Sequence, residues 1–181
     1  MAEKKNIFVI IGSASQNSAN QKLVDNFTNL TKGEFNLTIF KDLKELPHFD
    51  PERSTGNPPK KIVAFRNNIE KADGVIICTP EYVFSIPGGL KNAIEWCVAT
   101  TVFSNKPVGI ITASAQGQKG HEELQLIMKT ILAKFTSGTA LLIQGVKGKI
   151  SDTGEIRDNK TKSDLARFIE SFIHLVNNAS H

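Results

Sequence analysis

The chain has 181 residues, 40% hydrophobic and 22% charged, which is enough to fill a core without disulfides or a structural metal and is not the composition of a disordered chain. Its 22 basic and 18 acidic residues leave a net charge of +4, scattered with no Lys/Arg block, which argues against a nucleic-acid groove and mildly favours anionic ligands. No segment approaches the ~20 apolar residues of a membrane span, and Cys78 and Cys97 have neither metal nor redox spacing, so residues 1–181 read as one soluble, cytoplasmic domain.

The first apolar run, "NIFVIIG", follows two lysines but is too short for a secretory core, so it reads as a strand. Leu23, Val24, Phe27 and Leu30 then mark one face of a helix. "FNLTIF" is the second strand. Residues 41–60, with Pro47, Pro51, Gly56, Pro58 and Pro59, read as a loop. Ile62, Phe65, Ile69 and Ala72 predict the next helix, and "GVIICT" the third strand. After it, Leu90, Ala93, Ile94 and Cys97 share a helical face. "PVGIITA" is the fourth strand, followed by a helix through Leu124, Ile127, Met128, Ile131 and Phe135. "TALLIQ" is the fifth, then a glycine-containing stretch with a short hairpin around "GKISDTGEIRD". Leu165, Phe168, Ile169, Phe172, Ile173 and Val176 give a last helix.

Strands one, three and four are continuous apolar runs, as strands buried on both faces should be. Five strands alternating with helices predict an α/β fold: a flavodoxin-like three-layer sandwich with a parallel sheet in the order 2-1-3-4-5 and helices on both faces. In such a sheet ligands sit beyond the carboxyl ends of the strands, where the strand order reverses. Three loops should therefore converge: "GSASQNSANQ", "TPEYVFSIPGG" and "SAQGQKG". The first is rich in hydroxyls and runs into a helix, which suits a phosphate, although Ser18 or Asn20 can equally cap that helix. It lacks the residues of a Walker A or GxGxxG loop. In the second, Pro80 and Pro87 stiffen both ends, and Gly88 and Gly89 allow close approach. Between them the chain presents amides and rings to either a flat heterocycle or a partner subunit. His48, His121, His174 and His181 are dispersed and lack metal spacing, so no metal site is expected.

Two of these loops carry a resemblance. "GSASQNSAN" is similar to GSxRxxSxN, and "PEYVFSIPGGLKNAIEW" to PEYxxSxPGxLKNAxDW, motifs of the NADPH-dependent FMN reductases, a flavodoxin-like family that includes quinone, azo-dye and chromate reductases. The resemblance implies FMN, with its phosphate on Ser13, Ser18, Ala19 and Asn20 and its ring against Pro80, Glu81, Tyr82 and the amide of Val83. Ser114 and Gly117 match the third flavin-contacting loop. It further implies hydride transfer from NAD(P)H to the flavin and on to a small acceptor such as a quinone, azo compound, metal oxyanion or free flavin. No catalytic side chain is needed for that, and Glu81 is expected to position rather than to transfer protons. Family members are dimers or tetramers, which implies a homodimer or homotetramer with Phe84, Trp96 and Val98 as candidate contacts. Three positions depart from the pattern. Ser15 stands where the family has arginine, with Lys119 as a candidate replacement cation. Val83 stands where many members have asparagine, and Glu95 replaces aspartate.

Rival readings on the same fold are a flavodoxin-type electron carrier, which the basic charge disfavours, and a flavin-less binding module. A phosphoacceptor receiver domain fails because "GSAS" and "CTPE" lack the required acids.

Overall fold

The structure, a computed structural model, describes residues 3–179. Five strands form one sheet: β1 (Lys5–Ile11), β2 (Phe35–Phe40), β3 (Gly74–Thr79), β4 (Val108–Ser114) and β5 (Ala140–Gln144). All pairs are parallel and the order is β2-β1-β3-β4-β5, as the alternation predicts. β3 is buried along its whole length and β1 and β4 nearly so, whereas edge strand β2 buries only Phe35. This is why three runs are uniformly apolar and "FNLTIF" is mixed.

Among the described residues, five helices cover the two faces. α1 (Ala19–Leu30) and α6 (Asn159–Asn177) pack on one face, against Ile7, Val9, Ile11, Ile76 and Ile111. α3 (Lys60–Lys71), α4 (Gly88–Glu95) and α5 (Gln118–Thr130) pack on the other, against Phe8, Ile10, Val75, Ile77 and Ile110. Alternate residues of each central strand thus feed two separate cores. Both cysteines are buried free thiols, and burial raises both pKa values, Cys97 to about 12.

Some details differ from the sequence reading. Residues 41–60 include a turn of 3₁₀ helix, Leu43–Glu45, and a short helix α2 (Pro51–Thr55). Asp50 caps α2 by accepting from the amides of Glu52 and Arg53, and Pro51 opens it. Leu30, expected on the buried face of α1, is 62% exposed. Ile131 and Phe135 pack against the core from beyond the end of α5. The hairpin after β5 is present, closed by an antiparallel bridge between Ile150 and Ile156.

Trp96 requires a correction. It is fully buried, its indole N–H donates to the Pro47 carbonyl at 2.8 Å, and Phe49 meets its ring edge-on. It is therefore core and offers no surface to a partner. Phe84 and Val98 are exposed. No helix among the described residues is long and apolar enough to cross a membrane.

Candidate functional site

The loops after β1, β3 and β4 meet at the carboxyl edge of the sheet, tied together by hydrogen bonds. The amide of Gly12 donates to the Cys78 carbonyl at 2.8 Å. Gly12 lies so close to β3 that an added Cβ would stand 2.3 Å from Thr79 Oγ1, so the first loop reaches this position only with glycine. Asn20 is buried; its amide donates to the Ala113 carbonyl at 3.2 Å and its Oδ1 lies 3.4 Å from Cys78 Sγ. The side chain expected to contact phosphate is thus committed to joining α1 to β3 and β4. Ser18 is the N-cap of α1 and accepts from the Gln21 amide at 3.2 Å. Ser13 is buried and accepts from the Ser15 amide at 3.3 Å. The amides of Ala14, Gln16 and Asn17 have no hydrogen-bond partner among the described residues. They lie just ahead of the positive end of α1, a donor set that fits a phosphate monoester.

The second loop is built around a carboxylate. Glu81 accepts from the amide of Gly117 at 3.1 Å through Oε1 and from that of Gly120 at 2.8 Å through Oε2. Gly117, at φ +84°, is the N-cap of α5 and has no side chain to satisfy that helix end. Glu81 caps α5 from another segment, and the Ser114 hydroxyl donates to its carbonyl at 3.4 Å. A second carboxylate, on Glu123 of α5, reaches back to accept from the Ser85 hydroxyl at 2.7 Å and the Ile86 amide at 3.0 Å. Sequence reasoning missed Glu123. Its only sequence signal is an acid one and a half turns into a helix that follows a glycine-rich turn.

Between the two carboxylates the chain makes a tight turn. Tyr82 and Ser85 exchange both backbone hydrogen bonds, at 2.9 and 3.0 Å, and Val83 and Phe84 between them have φ of +52° and +60°. These are the backbone values of a type I′ turn, which favours asparagine and glycine. A β-branched and an aromatic residue here cost about 1–2 kcal/mol each. Val83 is 94% and Phe84 69% exposed, so the turn projects both side chains outward.

Lys119, considered above as a substitute cation, is paired with Glu122 at 3.1 Å and does not line the cleft beside the first loop. His121 is buried, its Nδ1 2.8 Å from the Thr112 hydroxyl, and burial lowers its pKa despite the nearby Glu122 carboxylate. His181 lies outside the described residues. Among the described residues no group of His, Cys, Asp and Glu is arranged to hold a metal. A cleft of about 700 Å³ opens between the first loop, the segment after β2 and the start of α4.

The profile of the NADPH-dependent FMN reductases matches residues 5–145. The chain belongs to this family. Within it, the chain is similar to the quinone reductase of Escherichia coli, at 28% identity over 95% of each chain. It is as similar to NADH-dependent flavin reductase subunit 2 of Lactobacillus johnsonii, at 28% identity over 96% of this chain and 98% of that one. Among solved structures, the flavoenzyme NAD(P)H:(acceptor) oxidoreductase FerB of Paracoccus denitrificans superposes with a TM-score of 0.84 at 25% identity, over 97% of this chain and 98% of its own. A member of this family is an oxidoreductase that works with FMN and a nicotinamide dinucleotide.

Proposed function

We propose that the chain acts as one FMN-binding domain that reduces a small quinone-type acceptor or a free flavin at the expense of NAD(P)H. The observation that carries this reading is the stitched edge of the sheet: unpaired amides ahead of α1, and beside them a ledge held by two carboxylates. The full-length similarity to quinone and flavin reductases supports the acceptor class.

FMN, when bound, would supply the hydride and electron-transfer chemistry. The protein's residues bind and orient. Ser13, the cap residue Ser18, the amide of Ala19 and the free amides of Ala14, Gln16 and Asn17 would hold the phosphate, while Asn20 keeps their loop against β3 and β4. Pro80, Glu81, Tyr82 and the amide of Val83 form the wall for the flavin ring, with Ser114 and Gly117 completing it. Glu81 is a positioning residue, since both its oxygens are occupied by the amides of α5. The exposed Phe84 and Val98 support a homodimer or homotetramer, and the free buried thiols support a cytoplasmic location.

The test is purification followed by FMN titration with thermal shift, then NAD(P)H oxidation with and without a benzoquinone. We expect a stabilising shift and acceptor-dependent oxidation. No shift and no oxidation would sink the proposal. Electron transfer only through a separate reductase would make the protein a carrier instead.

A further inference from the structure

We propose that Lys41 and Lys44, on the segment after β2, supply the positive charge that this family places on an arginine in the first loop and that Ser15 lacks. The inference rests on the FMN reading above and adds to it the residues that hold the phosphate from the side opposite α1.

Ser15, Lys41 and Lys44 line the same cleft, together with the first loop and Gly89. Other cations near that edge are engaged elsewhere: Lys22 donates to the Ser151 carbonyl at 3.2 Å, Lys91 pairs with Glu95 at 2.8 Å and Lys119 with Glu122 at 3.1 Å. Neither Lys41 nor Lys44 has a hydrogen bond or ion pair among the described residues. The acid adjoining Lys44, Glu45, is paired with Lys61 at 2.9 Å. Asp42 also lines the cleft and Glu45 is within electrostatic reach of Lys44, but Glu45 is paired with Lys61, so the charge at the two lysines stays positive.

The segment is held in place over the cleft. Asn92 donates to the Pro47 carbonyl at 3.0 Å and accepts from the Phe49 amide at 2.7 Å, and the Trp96 indole donates to the same carbonyl. Leu43, between the lysines, is buried, and its Cβ is 3.6 Å from where a Cβ on Gly89 would stand. Buried Leu43 therefore anchors the exposed residues on either side of it at the mouth of the cleft. A phosphate monoester on the first-loop amides then meets two ammonium groups, which act as point charges where arginine would have formed a bidentate pair.

The test uses the apoprotein and two flavins, with binding read by quenching of flavin fluorescence. FMN carries the phosphate and riboflavin does not. The Lys41→Gln/Lys44→Gln double variant should bind FMN about tenfold more weakly, as expected for a lost charge-assisted contact. Its riboflavin affinity should match wild type, and its FMN binding should depend less on salt. Adding Ser15→Arg to the double variant should recover FMN affinity. Equal weakening of both flavins, unchanged FMN binding, or no recovery with the arginine would overturn the proposal. So would a loss confined to the KM for NADPH relative to NADH, which would place the lysines on the dinucleotide. Wild-type protein that binds neither flavin would instead overturn the function reading itself.

Discussion

Replacing Glu81 separates a positioning role from proton transfer. Its two oxygens accept from two buried amides at the start of α5, at 3.1 and 2.8 Å. In Glu81→Gln the side chain keeps its shape and one carbonyl oxygen, but its NH₂ group faces an amide that needs an acceptor. One hydrogen bond and the favourable charge at the helix end are lost. Hydrogen bonds to charged groups contribute about 1.5–3 kcal/mol each, and this carboxylate is partly exposed, so the loss should be about 2 kcal/mol. Glu81→Ala removes both acceptors and should cost about 3 kcal/mol. At about 2–4 °C per kcal/mol for a chain of this size, the glutamine variant should lower Tm by roughly 4–8 °C. Urea denaturation of the apoprotein measures the stability change, and FMN titration measures the displaced ledge. Activity at saturating FMN should be largely retained, with the pH–rate profile unchanged in shape. A glutamine variant as stable as wild type that lost turnover together with one limb of that profile would refute the reasoning and make Glu81 a proton donor.

Gly12→Ala forces a Cβ to within 2.3 Å of Thr79 Oγ1 and should push the first loop off β3, costing about 1–3 kcal/mol and weakening FMN binding; denaturation and flavin quenching check both. Val83→Asn with Phe84→Gly relieves two left-handed residues that bury little, and should raise the urea midpoint by the equivalent of about 1–2 kcal/mol. His121 gives a pH dependence. Its folded pKa lies below its ordinary value because burial disfavours the charged ring. Its contribution is therefore full above about pH 6.5 and lost as pH falls through the lower folded value. Thermal unfolding scans should show this acid loss in wild type and a shallower one in His121→Gln.

The sheet was legible because its central strands are buried on both faces, and such burial leaves an uninterrupted apolar run. Strand order followed from the alternation, and the place of the site from the order. What the sequence hid were pairs that meet only in the folded chain. Glu81 and the amides it caps are 36 and 39 residues apart, and Ser85 and Glu123 are 38 apart. No periodicity reports such contacts. Trp96 misled for a related reason: an aromatic at the end of an amphipathic helix looks the same whether it meets a partner subunit or, as here, the Pro47 turn of its own chain.

The second motif is diagnostic without being only a list of cofactor contacts. Glu81 caps α5, Gly89 lies beneath Leu43, and Asn92 and Trp96 fasten the segment that carries Lys41 and Lys44. These four residues act on neighbouring backbone, and their spacing is set by the geometry of three converging loops. The position of Val83 belongs to the same geometry. Positive φ there suits the asparagine that the motif resemblance implies at this position: an amide side chain tolerates the left-handed region, and valine adopts it only with strain. The cost of valine is backbone strain at that turn, separate from any lost side-chain contact with the flavin. The departure at Ser15 is of another kind, because charge acts over distance and can be supplied by any segment that borders the same cleft. On the proposal above, a motif fixed by backbone geometry stays recognisable while the cation that serves it comes from a different segment.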